Sequence, residues 1–117
     1  MIEKQATQVT PGKRRYARAA VEGYIGEIAA GNLVLSGVVD NVSHAGLRMS
    51  GLPAGFSVAR SHYVAVVSGY DKKIKIIVRP RWFNAEDSDH MAVGFKIIDA
   101  PWEWMMLVST EIPDYTN

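Results

Sequence analysis

Lys13-Arg14-Arg15-Tyr16-Ala17-Arg18 places three arginines and a lysine within six residues. Arginine carries a planar fork of donors that matches phosphate oxygens and the paired acceptors of a guanine edge. Several such forks, just ahead of the first strand-like segment, point to an anionic ligand of nucleotide type. A solvated basic linker has the same composition, and spacing alone leaves the two readings level. A second group, Asn41-Val42-Ser43-His44-Ala45-Gly46, follows a strongly apolar run. Asn both donates to and accepts from a base edge, and Ser does either. Gly46 permits φ > 0 and lets a flat ligand lie near the chain. The same residue types also make an ordinary turn.

Other chemistries find little support. His44, His62 and His90 lie far apart and lack metal-ligand spacing, so no metal site is expected. Ser43 is not in a nucleophile elbow, and the chain has no glycine-rich phosphate loop. Glu86, Asp87 and Asp89 read as a solvated turn, and no carboxylate pair stands out for acid–base work. No catalytic residue and no cofactor are expected. The chain has no cysteine, which excludes disulfides and thiolate chemistry. Asn41-Val42-Ser43 matches a glycosylation sequon, which is discounted because the N-terminus lacks an apolar signal region. The formal net charge is only +1, so any attraction to a nucleic acid has to come from a local patch.

Taken together, Arg14-x-x-x-Arg18 and Asn41-x-Ser43-x-x-Gly46 resemble the two-part signature of the PilZ domain family, receptors for the bacterial second messenger cyclic di-GMP. The order and separation of the motifs agree, as do the flanking Gly46-Leu47-Arg48-Met49 and Val93-Gly94-Phe95. The resemblance implies that Arg14 and Arg18 grip phosphates and guanine edges, with Arg15 assisting. It implies that Asn41 and Ser43 contact a guanine and that Gly46 permits the turn. Many members carry Asp at the position of Asn41; Asn keeps the acceptor and loses the charge. Lys13 and Tyr16 are additional candidates: Tyr16 for stacking, Lys13 for meeting the phosphates of a stacked ligand pair. The resemblance implies a receptor that reshapes its surface for an unidentified protein effector, not an enzyme. Two rivals are a degenerate adaptor without ligand and a small barrel binding single-stranded nucleic acid. The intact motifs speak against the first. Modest charge and few clustered aromatics speak against the second.

The elements that position these groups follow from periodicity. At 117 residues the chain holds one core. Residues 1–12 are polar, end in Pro11-Gly12 and read as a flexible arm; residues 13–117 form the domain. Strands are expected over Ala19–Ile28, Leu33–Val42, Leu47–Ser50, His62–Ser68, Ile74–Phe83 and Met91–Ile98. Pro80 inside the fifth implies an edge or a bulge. Gly51–Gly55 reads as a loop. Asp99-Ala100-Pro101 opens a helix whose apolar stripe is read as Trp102, Met105, Val108 and Ile112. The fold class is mainly β, a small antiparallel barrel of about six strands with one C-terminal helix. No window is apolar enough to span a membrane, so the simplest location is the cytoplasm.

Overall fold

Alternation of apolar and polar residues builds six strands, which a computed structural model describes over residues 18–112. They are β1 (Ala19–Ala30), β2 (Leu33–Val42), β3 (Gly46–Pro53), β4 (Tyr63–Gly69), β5 (Lys72–Ala85) and β6 (His90–Asp99), followed by helix α1 (Trp102–Glu111). The sheet is antiparallel and closes into a barrel in the order β1-β2-β3-β6-β5-β4. Inward residues such as Ile28, Val39, Met49, Ala65, Ile76, Val78 and Val93 are fully buried and fill its interior. The barrel with one C-terminal helix is the architecture read from the sequence. The arm 1–12 and Lys13, Arg14, Arg15 and Tyr16 lie outside the described residues.

Three irregularities interrupt the regular ladder. β1 carries extra residues between Ala20 and Tyr24, where Gly23 takes φ 88°. The Tyr70 ring lies over that glycine and its hydroxyl donates to the Glu22 carbonyl at 2.9 Å. β3 continues through Gly51, at φ 74°, to Pro53, so the loop expected from Gly51 begins only after the strand has bulged. β5 changes partners along its length. Lys72–Val78 pair with β4, whereas Ile77–Ala85 pair with β6. Pro80 therefore sits where β4 has ended, beside a register shift between Pro80 and Trp82. A missing N–H is tolerated there, as expected of an edge or bulge.

The helix corrects one expectation. Its buried face is Trp104, Leu107 and Val108, with Ile112 partly buried after it; Trp102 and Met105 point to solvent. Only Glu103 is polar among Trp102–Val108, so the apolar spacing carried no phase. The barrel end chose it, by accepting the Trp104 indole. Tyr24 ties the far end of α1 to β1, donating to Glu111 Oε2 at 3.0 Å.

Burial, then that hydrogen bond, pushes the Tyr24 hydroxyl up to about 12. A raised folded-state value means that the proton is held more tightly in the folded protein. The associated stability is intact below the ordinary phenol value of about 10 and is lost as pH rises from about 10 to about 12. The unfolding free energy from urea titrations is expected to drop across that window, by at most about 2–3 kcal/mol, and Tyr24→Phe is expected to remove this part of the slope. An identical alkaline slope in Tyr24→Phe contradicts the assignment.

Candidate functional site

The β2–β3 connection is a four-residue turn, Ser43–Gly46, closed by the pair Val42 and Leu47. The Ser43 N–H donates to the Gly46 carbonyl at 2.9 Å. The Ser43 hydroxyl accepts from the Gly46 and Ala45 N–H groups at 3.1 and 3.3 Å and donates to the Gly46 carbonyl at 3.3 Å. A hydroxyl has one donor and two lone pairs, so its capacity is used within the turn. Ser43 is accordingly buried, at 6% exposure. Two neighbours pin the loop from below. The Trp104 indole N–H donates to the Ser43 carbonyl at 3.1 Å, and the Ile97 N–H donates to the Ala45 carbonyl at 2.8 Å.

Gly46 is required for a different reason from the one its turn position implied. It is not among the described residues with positive φ. Instead it faces Lys96 across the ladder, and a Cβ there would stand 2.5 Å from the Phe95 carbonyl oxygen. Close approach of two backbones, and not left-handed geometry, selects glycine.

Register places the remaining candidates. Ala19 pairs with Val42 and Ala20 with Asn41, so Arg18, exposed and one residue earlier, stands level with Ser43. Arg18, Asn41, Ser43 and Gly46 are thus brought to one end of the barrel. Asn41 is half-buried and belongs to an outward row across five strands: Ala20, Asn41, Arg48, Gly94 and Trp82.

That row contains groups that motif reading did not assign. Val39 pairs with Met49 and Asn41 with Arg48, so Asp40 is the extra residue of a bulge. Its Oδ2 accepts from Arg48 Nη1, an ion pair with side chains 28% and 37% exposed. The Arg48 guanidinium carbon lies 6.0 Å from the Trp82 ring centre. The Trp82 indole covers Gly94, where a Cβ would meet ring atoms at 2.1 Å. The wall beside Asn41 therefore offers a fixed cation and an aromatic face, at the distance limit of a cation–π contact. The available signal was Arg48 alternating with Leu47 and Met49, but its neighbours depend on two bulges. Among the described residues no group of histidines and carboxylates could hold a metal ion, and no helix is long and apolar enough to cross a membrane.

This architecture is that of a PilZ domain. The PilZ domain of YcgR from Escherichia coli, solved with c-di-GMP, superposes with a TM-score of 0.68 at 14% identity. The match covers 86% of this chain and 90% of that one. The Bacillus subtilis inhibitor of motility MotI/DgrA superposes with a TM-score of 0.70 at 15% identity, over 88% of this chain and 51% of that one. The chain thus spans about half the length of the Bacillus protein. No family model and no curated protein matches the sequence. At these identities the likeness is one of fold, and the fold is the one that the resemblance of the two motifs implies.

Proposed function

We propose that this chain is a receptor for cyclic di-GMP that acts by binding, without catalysis, and regulates a partner protein through the surface it presents. The observation that carries this reading is register: Arg18, from the first motif, stands beside the turn formed by the second. The fold shared with a PilZ domain solved with c-di-GMP supports it.

Each residue then has a physical task. Arg14 and Arg18 supply charged forks for the two phosphates and the guanine edges, with Arg15 and Lys13 adding positive charge. Asn41 reads a base edge with its amide. Ser43 and Gly46 act through the turn, which fixes where Asn41 and the local backbone stand. Arg48 and Trp82 form a flat wall along which a purine lies. Tyr16 adds a second ring from the basic segment. Arg14–Arg18 reach a ligand at the turn by folding over it. Ordering that segment costs about 1–2 kcal/mol per residue fixed. The affinity is therefore nearer micromolar than picomolar.

Asn41→Ala tests the base-reading role. It is expected to weaken cyclic di-GMP about tenfold and to narrow the preference over cyclic di-AMP, with little change in thermal midpoint. Calorimetric titration with both dinucleotides is the check. Equal affinity of the unsubstituted protein for the two contradicts guanine reading.

A further inference from the structure

The barrel closes, but not along its full length. Among the described residues, β4 alone holds Lys72–Ile76 of β5, because β6 ends at Asp99 opposite Ile77. Pro101 then turns the chain into α1. Between the free side of β5 and the start of α1 lies a groove of about 510 Å³. Lys73, Ile74, Lys75 and Ile76 form one wall, and Pro101 and Glu103 form part of the other. Ile74 and Ile76 point inward at 5% and 1% exposure, while Lys73 and Lys75 are exposed. An unpaired strand edge carries N–H and C=O groups that template another strand.

We propose that this groove receives one extended segment of a partner protein, added to β5 as a further strand. Its apolar side chains lie on the same face of the sheet as Ile74 and Ile76, and its carboxylates lie beside Lys73 and Lys75. Lys72–Ile76 offer about 17 Å of edge, enough for a strand of ordinary length.

Charge selects the occupant. A second copy of this chain pairing through the same edge, centred on Ile74, places Lys73 of each chain opposite Lys75 of the other. Like charges directly opposite disfavour a pair, and edge lysines are a common guard against self-association. A strand with carboxylates at those positions turns the same lysines into attractions. Neither lysine has an ion-pair partner among the described residues. The groove contains none of the residues assigned to the nucleotide, so the proposal stands independently of that reading.

The test uses the full chain and a fluorescein-labelled eight-residue peptide alternating valine and glutamate. Saturable binding is expected, with slowed amide exchange confined to Lys72–Ile76. N-methylation of alternate peptide amides is expected to cost about tenfold or more, because the added strand loses its ladder. The double variant Lys73→Glu and Lys75→Glu is expected to weaken the glutamate peptide about tenfold and to favour a lysine version. Both positions are exposed, so the variant keeps its fold. No saturation, undiminished binding of the N-methylated peptide, indifference to the charge reversal, or protection elsewhere on the barrel overturns the proposal.

Discussion

Trp104→Ala is expected to cost about 3–5 kcal/mol of folding stability. Trp104 is fully buried, packed in the core with Leu107 and Val108, and is the side chain through which α1 enters the barrel end. Its removal leaves a large void and takes the indole donor from the Ser43 carbonyl. A domain of this size has about 5–15 kcal/mol in total, so the variant is marginal. Trp104→Phe keeps the measurement readable: most of the ring stays, the N–H goes, and about 1–2 kcal/mol is the expected loss. Urea denaturation followed by circular dichroism gives both values. A Trp104→Ala protein within 1 kcal/mol of the unsubstituted one would mean that α1 does not plug the barrel. The same pair of variants reports on the turn, because Trp104 is one of the two groups that pin it.

Arg14→Ala and Arg18→Ala are each expected to weaken cyclic di-GMP about ten- to a hundredfold while leaving the fold intact. Each removes a charge-assisted contact worth about 1.5–3 kcal/mol. Arg18 is exposed and precedes β1, so its loss exposes no core surface. Thermal midpoints within about 2 °C of the parent, beside the weakened binding, separate a ligand contact from a structural one. Arg18→Lys is expected to recover only part of the affinity, because an ammonium cannot form the two-pronged contact. Parent-like affinity in either alanine variant contradicts the role of the basic cluster.

The barrel was legible because its strands alternate cleanly: Ile74, Ile76 and Val78 against Lys73 and Lys75, or Val93 and Phe95 against Lys96. The helix phase was not, since the run from Trp104 to Val108 is apolar at every position. Only a buried indole N–H meeting a carbonyl decides which stripe faces inward. Residue types and their order name the candidate groups, and only register brings Arg18 level with the turn. Asp40, Arg48 and Trp82 are not assigned to the site by the sequence for a physical reason. Their alignment with Asn41 depends on bulges at Asp40 and after Pro80, and a one-residue slip sends a side chain to the other face. Ser43 shows the limit of reading roles from chemistry. Its hydroxyl suits a base edge, yet three hydrogen bonds inside the turn engage it. Gly46 suggests a left-handed turn by its type, yet what a side chain there would meet is the Phe95 carbonyl.

Ligand capture at the turn is decided by isothermal titration calorimetry of the full chain with cyclic di-GMP. Cyclic di-AMP, a single-stranded oligonucleotide and the Arg18→Ala protein serve as comparisons at two salt concentrations. Saturable micromolar binding of cyclic di-GMP, weaker binding of cyclic di-AMP, and an affinity that falls in Arg18→Ala are expected. A folded protein that gives no saturable heat with cyclic di-GMP, or that prefers the oligonucleotide, contradicts capture at the turn.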